Sequence, residues 1–414
     1  MSNMIDSRHA AWDPARTRAW VEVDSDAIAS NTASLSKLLS PQTQLMAVVK
    51  ADGYGHGAVT VASEVVRHGA TWLGVATVSE AIELRDAGID APILVFGAVR
   101  DRHDIRHLAH HRLCPTICDI DHGREVSDQL GSLERPLDVH LKIDTGMSRL
   151  GTSASNALSF WETVTQLPQL TISGIYSHLA TAESLDESTT WQQYNRFIKA
   201  LDRLPRLQHN VAVHLANSAA ALRFPRTHFD LVRVGLAIYG LSPVPLSSAN
   251  VELTPVLQVK ARVTQVKDVE RGAGISYGHQ FRASHGMRVG TVAIGYADGV
   301  ARGLSGRIDV LVNGTRARQV GAITMDQLMI DVTKVPSVRP GDIVTLIGRD
   351  QSEQIRAEEW AAASDTIVWE VLCGFKNRLP RVTKDAPNAN AASTGVTNGR
   401  FALLDRDRLH ASSP

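Results

Sequence analysis

The chain has 414 residues, room for two or three domains of roughly 150 residues each. Apolar residues make up 43% and charged residues 21%, ordinary globular usage that excludes a disordered, collagen-like or coiled-coil chain. Lysine plus arginine balance aspartate plus glutamate at 43 each, so no global field recruits nucleic acid or an anionic membrane. Cys114, Cys118 and Cys373 are too few for a disulfide framework. No second Cys or His pair completes a zinc ligand set, so no metal is expected and Cys114 and Cys118 read as buried structural thiols. The N-terminus lacks the apolar core of a secretory signal, and no segment reaches the ~18 apolar residues of a spanning helix. A cytoplasmic protein without a membrane or nucleic-acid partner is expected.

In chain order, short apolar strands alternate with helical patterns from Arg18 to about Leu241. The strand candidates are AWVEV (19–23), LMAVV (45–49), WLGVAT (72–77), ILVFG (93–97), CPTIC (114–118), DVHLKI (138–143), ISGIYSHL (172–179), NVAVHL (210–215) and LVRVG (231–235). SDAIASNTASLSKLL, VSEAIELRDAG and WQQYNRFIKALDRL read as helices between them, the first with Asp24 as cap and the second ended by Gly88. Repeated βα units force parallel pairing. Nine candidates are one more than an eight-stranded (β/α)8 TIM-type barrel needs, so the first strand is expected outside it; a doubly wound open sheet is the competing architecture.

After SPVPLSSANVELTP (242–255) the texture becomes β-rich without intervening helices: LQVKARVTQVKDV, RVGTVAIGYADG, RIDVLVNGTRARQVGAI and GDIVTLIG. Asn313-Gly314 between alternating strands signals a type I′ hairpin, because both turn positions need positive φ. This predicts a mainly antiparallel β domain, interrupted by a helix at AEEWAAAS (357–364). The expected organisation is a disordered extension over 1–17, the barrel over 18–243, the β domain over 244–385 and a flexible tail over 386–414.

Chemistry concentrates in LMAVVKADGYGHG (45–57), where an apolar strand ends in Lys50 followed by Asp52 and a glycine-rich turn. A lysine at such a strand end is partly desolvated, which makes its neutral amine accessible for a Schiff base with an aldehyde. VVKADGYGHG resembles the pyridoxal-phosphate lysine motif of the alanine racemase family. HLKIDTGMSRLG (140–151), GIYSHLATAE (174–183), HLANSAA (214–220) with LVRVGLAIYG (231–240), and GISYG (274–278) with GAITMDQ (321–327) match the same family in order. The likeness runs from about residue 18 to 382.

The resemblance implies pyridoxal 5'-phosphate held by Lys50, with Tyr54 and Ser218 on its phosphate beside backbone N–H groups at Ser218, Gly235 and Leu236. Asn217 and His178 belong to the same cofactor site, and Arg233 faces the pyridine nitrogen. A guanidinium only donates, so that nitrogen stays unprotonated and the ring is a weaker electron sink, which keeps chemistry at Cα. The bland alternatives are Ser218 as a helix cap, Arg233 paired with Asp230, and Tyr239 and Gly240 as packing.

Inverting Cα needs proton removal on one face and delivery on the other, for which two opposed bases are the simpler design. The resemblance makes these Lys50 and Tyr277, the latter from the second subunit of a homodimer with shared active sites, acting through an external aldimine and a Cα carbanion. A phenol titrates near ~10, so this role needs polarising partners, His178 and Arg233. Arg149 is matched to the substrate carboxylate, Lys142 to a lysine that carries a carbamate in the family, with pairing to Asp144 as the ordinary alternative. Met325, through its backbone N–H, and Asp326 complete the substrate pocket, and Tyr296 and Arg302 line its entrance. The family's tyrosine before Glu-Val is here Trp369, an indole with one donor in place of a hydroxyl.

The expected activity is L-alanine/D-alanine interconversion, supplying D-alanine for cell-wall peptidoglycan or serving alanine catabolism. The rivals are a broad-specificity amino-acid racemase of the same fold, a basic amino-acid decarboxylase and a non-catalytic pyridoxal-phosphate-binding protein.

Overall fold

The structure is a computed structural model that describes residues 14–205, 211–245 and 251–384. Most of the expected extension and the whole tail from 386 lie outside the described residues. Pro14–Arg16, inside the stretch expected to be disordered, form a 3-10 turn whose Arg16 carbonyl accepts from Arg262 Nε at 2.9 Å.

Parallel strands supply the first sheet: β2 (Gln44–Val48), β3 (Trp72–Val75), β4 (Ile93–Val95), β5 (Cys114–Ile117), β6 (Leu137–Asp144), β8 (Leu170–Tyr176), β9 (Ala212–His214) and β10 (Leu231–Val234). Their order is β10-β2-β3-β4-β5-β6-β8-β9, every pair parallel, with the short β7 (Thr152–Ser153) beside β6. The two ends of that path meet, since Asp230 N–H donates to Val213 O and Arg233 N–H to Ala216 O, each at 3.0 Å. The sheet is a TIM-like near-barrel and not the open doubly wound alternative. Both faces of such strands are covered, so they read as unbroken apolar runs; Ile93, Leu94 and Val95 are fully buried.

Helices α1 (Ser25–Lys37), α3 (Ala58–Arg67), α4 (Val78–Asp86), α5 (Arg102–His110), α6 (Ile120–Leu130), α7 (Ala157–Thr165), α8 (Ser188–Leu201) and α9 (Ser218–Arg223) fill the crossovers. Each buries an apolar stripe; in α3 it is Ala58, Val61, Ala62 and Val65, the helical spacing that predicts a one-sided helix. Gly88 follows α4 at φ 81°, as the expected stop requires.

Strand β1 (Ala19–Asp24) does not join the barrel. It pairs antiparallel with β11 (Leu257–Val269) and parallel with β20 (Arg381–Lys384). The rest of this sheet is β14 (Met287–Val292), β15 (Asp309–Val312), β16 (Thr315–Val320), β17 (Leu328–Asp331), β18 (Ile343–Asp350) and β19 (Glu353–Ile355). An extra β18–β11 pairing closes six of its strands into a ring. β12 (Gly274–Ile275) and β13 (Phe281–Arg282) pair only with each other. Alternating burial along Leu257–Val263 shows a strand covered on one face. Asn313 and Gly314 have φ of 50° and 72°, as a type I′ turn demands. The expected helix forms as α10 (Ala357–Ala363), and a second, α11 (Val368–Gly374), stands where only a motif was read.

The described residues divide into two compact units: Ser25–Gly53 with Gly57–Pro255, and the remainder, which joins β1 and Tyr54–His56 to the chain from Val256. The start of the stretch expected to be barrel therefore folds with the C-terminal strands, because the backbone groups of β1 are matched by β11 and β20. No helix among the described residues is long and apolar enough to cross a membrane.

Candidate active site

In the first unit the predicted residues gather at the C-terminal ends of the parallel strands, the end where such barrels carry their chemistry. Register explains the gathering: Arg233 lies beside Met46 and Val234 beside Ala47, so β10 and β2 deliver Gly235 and Lys50 to the same rim. Tyr239, fully buried, ties them by donating its hydroxyl to Val48 O at 3.0 Å.

Arg233 is the hub. It is 4% exposed. Its Nη2 donates to Ser177 O at 3.0 Å, Leu215 O at 3.1 Å and His178 Nδ1 at 3.1 Å, and its Nη1 donates to His214 Nδ1 at 3.0 Å. Nε–H takes no acceptor among the described residues. Burial, with Arg149 adding to it, pulls the guanidinium down to about 10, still protonated at neutral pH. A permanent donor fixes its neighbours' tautomers. His214 accepts at Nδ1, so its Nε2–H donates to His140 Nδ1 at 2.9 Å, and the proton of His140 sits on Nε2, a buried atom without an acceptor. His178 likewise accepts at Nδ1 and keeps a proton on Nε2. Burial and the Arg233 charge hold His178 well below its usual range, and burial with His140 and Arg233 does the same for His214. The alternative pairing of Arg233 with Asp230 is corrected: Asp230 Oδ2 accepts from Val213 N–H at 2.8 Å instead.

Lys142, on β6, is 6% exposed with Nζ 4.1 Å from the Tyr176 ring centroid. Among the described residues no carboxylate pairs with it, so the Asp144 alternative is also corrected; Asp144 Oδ1 accepts from Gly146 and Ser148 N–H. Burial, then Arg233 and Arg149, depress its ammonium far below the usual lysine range. Gly151 makes room for its stem, since a Cβ there would lie 2.7 Å from Lys142 Cγ. Arg149 is exposed and makes no hydrogen bond among the described residues.

Asn217, not Ser218, caps α9, accepting from Ala220 N–H at 3.1 Å. Ser218 Oγ accepts from Gly235 N–H at 2.9 Å. The N–H groups of Ser218 and of Leu236, both buried residues, donate to nothing among the described residues. Two orphaned donors beside a hydroxyl suit an anion's oxygens.

Lys50, half-buried, opens α2 (Lys50–Gly55), a left-handed turn in which Ala51, Asp52, Gly53, Tyr54 and Gly55 have φ of 53°, 53°, 58°, 53° and 79°. Ala51 and Tyr54 are neither glycine nor a short polar residue, and each costs roughly 1–2 kcal/mol there. Strain of this kind persists only where bonds over-determine it. Gly53 N–H donates to Val49 O, Gly57 N–H to Asp52 O, and Ala58 N–H to Asp52 Oδ1, all at 2.9 Å. Ala51 N–H donates to Glu80 Oε1 at 2.7 Å.

The C-terminal unit holds the other predicted residues. Tyr54 is buried, which pushes its phenol up. Tyr277 is 72% exposed and Met325 52%, so Tyr277 is not core packing. It follows Ser276, whose φ is 65° and whose Oγ donates to Ala322 O at 2.7 Å. The Met325 carbonyl accepts from Ala297 N–H at 3.0 Å, and the Thr324 carbonyl from Tyr296 N–H at 3.0 Å; Met325 N–H donates to nothing among the described residues. Asp326 Oδ1 accepts from Arg378 Nη2 at 2.7 Å. Arg378 Nε also lies 3.5 Å from Asp298, a fully buried carboxylate gripped by both terminal nitrogens of Arg18 at 2.7 and 2.9 Å. Trp369 is half-buried, its indole N–H unbonded among the described residues. Arg302 opens a 3-10 turn, Arg302–Leu304.

In the sequence His214 and His140 stand within strands and matching motifs with no role assigned to them, and Glu80 and Arg378 are passed over. The available signal was Thr77-x-x-Glu80, a capping box; the others gave none. Cys114 and Cys118 are buried as expected, and Cys373 is exposed.

Residues 23–243 match the family model for the alanine racemase N-terminal domain and 256–383 that for its C-terminal domain. The chain is 52% identical over 368 residues to an alanine racemase of Nostoc sp., covering 88% of this chain and 95% of that one. It is 49% identical to one from Synechocystis sp., covering 89% and 99%. Among solved structures, alanine racemase from Bacillus anthracis with bound L-Ala-P superposes with TM-score 0.83 at 38% identity, covering 91% and 96% of the two chains. A histidine racemase from Leuconostoc mesenteroides superposes with TM-score 0.82 at 29% identity, covering 90% and 99%. Near-barrel, C-terminal β unit and matched length agree: this chain belongs to the alanine racemase family, isomerases that racemise alanine.

Proposed function

We propose that the chain racemises alanine on pyridoxal 5'-phosphate by a two-base route, with Lys50 and Tyr277 of the partner subunit as the bases of a homodimer's shared sites. The observation that carries this is Arg233: a buried, permanently protonated donor whose Nε–H is unspent at the rim beside Lys50. The orphaned N–H groups of Ser218 and Leu236, with the Ser218 hydroxyl, fit the cofactor's phosphate, joined by Tyr54 and Asn217 and, through its indole, Trp369; Gly235 N–H, spent on Ser218 Oγ, orients that hydroxyl instead. Bound there, the cofactor supplies an aldehyde that condenses with amines and a ring that delocalises charge left at Cα.

The chain's own groups do the rest. Arg233 donates to the ring nitrogen and keeps it unprotonated. Lys50 Nζ takes or returns the Cα proton on its own face, and Tyr277 of the partner subunit acts on the other. His178, neutral with its proton on Nε2, is a donor that stabilises the phenolate form of that tyrosine. Arg149 orients the substrate carboxylate, which also meets the Met325 N–H beside Asp326. Burial and two nearby cations depress the Lys142 ammonium and so favour its neutral amine, the form that adds carbon dioxide as a carbamate with release of one proton; the carbamate's charge then offsets that of Arg149. The exposure of Tyr277 and Met325 suits residues presented to a second chain. Supply of D-alanine for peptidoglycan or alanine catabolism is the role this activity serves.

Borohydride treatment of the purified holoprotein should fix the cofactor on a peptide containing Lys50, and Lys50→Ala should lose both the visible band and the racemisation of L-alanine read by circular dichroism. Labelling at another lysine overturns the reading. The histidine racemase neighbour keeps a broad-specificity activity open as the second reading, which a panel of L-amino acids in the same assay decides.

A further inference from the structure

Glu80 sits where a capping box predicts it, three residues after Thr77 at the start of α4. Thr77 Oγ1 accepts from Glu80 N–H at 3.3 Å, and Glu80 Oε2 accepts from Thr77 N–H at 3.2 Å. A cap alone needs no more. Yet the carboxylate takes two further donors: Oε2 accepts from Ala76 N–H at 2.7 Å and Oε1 from Ala51 N–H at 2.7 Å. The shorter pair lies outside the box. Ala51 is twenty-nine residues away, and its N–H belongs to the peptide immediately after Lys50, the first of the left-handed turn.

We propose that Glu80 is a positioning residue for Lys50: its carboxylate gathers the Ala51 N–H with the Ala76 and Thr77 N–H groups and thereby fixes where the strained turn directs the lysine. This rests on the reading of Lys50 as cofactor lysine and base. Ala51 is exposed, and its N–H has no backbone partner among the described residues, so Glu80 is what ties that N–H against the β or right-handed region that an alanine prefers. The bonds at Gly53, Gly57 and Ala58 hold the later part of the turn, and the Ala51 N–H, its first, is held by Glu80.

The carboxylate is required, not just the shape. Three N–H groups converge on two oxygens, and both must accept. Glutamine has the same shape but one acceptor oxygen, and its amide nitrogen would face an N–H with another donor. Glu80→Gln therefore satisfies either the lysine's turn or the end of β3, never both.

The test compares Glu80→Gln with Thr77→Ala, which removes the other half of the capping box and leaves the carboxylate. Hydrogen exchange of apoprotein peptides spanning 50–55 should be faster in Glu80→Gln than in wild type, and unchanged in Thr77→Ala. With cofactor, kcat for both alanine enantiomers should fall about 10–100-fold in Glu80→Gln, the cost of a misplacement near 1 Å. Its KM should change little, while Thr77→Ala lowers Tm and leaves kcat unaltered. Equal effects of the two variants on exchange and kcat would reduce Glu80 to a helix cap and overturn the proposal. Should Glu80→Gln not fold, the Ala51 amide of the wild-type apoprotein, read by NMR, decides: protection supports the tie and free exchange refutes it. Borohydride labelling away from Lys50 in wild type would sink the reading of the lysine while leaving the exchange result standing.

Discussion

The rim of the barrel and the Tyr277 limb of the β unit are built on opposite physical terms. At the rim the reactive groups are dehydrated and densely bonded: Arg233 is 4% exposed, Lys142 6%, and His214 fully buried. Burial, with neighbouring cations adding to it, shifts their protonation, and one guanidinium, protonated at neutral pH, fixes the histidine tautomers. In the β unit Tyr277 is 72% exposed and Met325 52%, and what is fixed there is backbone, by the Ser276, Tyr296 and Ala297 contacts. The barrel sets electronic state; the limb sets position. Groups of the first kind resist substitution through folding and charge, whereas groups of the second kind can be changed singly without disturbing the unit that carries them.

Tyr277→Phe is the sharpest use of that difference. Loss of one exposed hydroxyl leaves Tm and the cofactor's visible band unchanged. Removal of the proton from L-alanine, read as Cα–H exchange into deuterium oxide, should fall by ~10²–10⁴, a usual share for general base action. Exchange from D-alanine, begun by Lys50, should persist and return D-alanine. Equal loss from both enantiomers would count against two bases. Mixing Tyr277→Phe with Lys50→Ala chains should restore one working site per heterodimer, about half of the wild-type complement; heterodimers without activity would place both bases in one subunit.

Much of the rim was legible because its residues stand in strands whose apolar runs announce themselves and whose ends are marked by Lys50, Asn217-Ser218 and Gly235. What was not legible shares a cause: it depends on pairs far apart in sequence. Nothing in HLANSAA or DVHLKI says that His214 will donate to His140, since that follows from β6, β8 and β9 lying side by side. The capping box of Thr77 and Glu80 was readable; the Ala51 N–H arriving at the same carboxylate was not. The left-handed turn was hidden too, because Ala51 and Tyr54 are poor choices for positive φ and the surrounding bonds hold them there. That β1 lies outside the barrel was legible from the count, nine candidates for eight places; its partner was not, because β11 comes more than two hundred residues later.

A smaller effect is expected from the support behind Met325 and Asp326. Arg378 bridges Asp326 and the buried Asp298, while Arg18 alone can keep Asp298 paired through its two-nitrogen grip. Arg378→Gln therefore spares the buried charge and frees Asp326. KM for alanine should rise about 10-fold, the loss of roughly one oriented hydrogen bond, with kcat nearly kept. A fall in Tm with KM unmoved would make Arg378 a purely structural contact of the β unit.

The smallest effect separates the two units by pH alone. Burial holds His140 down to about 3, and with neighbouring cations depresses His178 and His214. Unfolded histidines bind protons near ~6.5, so these three contribute stability that is complete above that value and is lost as pH falls toward the folded values. Asp230 runs the other way, since burial raises its carboxyl to about 6; it favours the folded barrel as pH falls below that and offsets part of the loss. All four lie in the barrel unit. In the β unit burial works to raise Asp298, but the hydrogen bonds from Arg18 and Gly295 N–H and the charges of Arg18 and Arg378 together outweigh it, and the carboxyl ends below its usual range. Its contribution is present above ~3.9 and lost only as pH falls through its lower folded value. Between pH 6.5 and 5 the barrel should therefore weaken while the β unit holds. Hydrogen exchange, corrected for the intrinsic pH dependence of amide exchange, should show protection falling in peptides from β6, β8 and β9 and steady in those from β11, β14 and β18. Equal loss in both sets, or loss in the β unit first, would mean that the buried histidines do not govern the acid limb, and that the contrast between a charge-set barrel and a position-set limb does not reach stability.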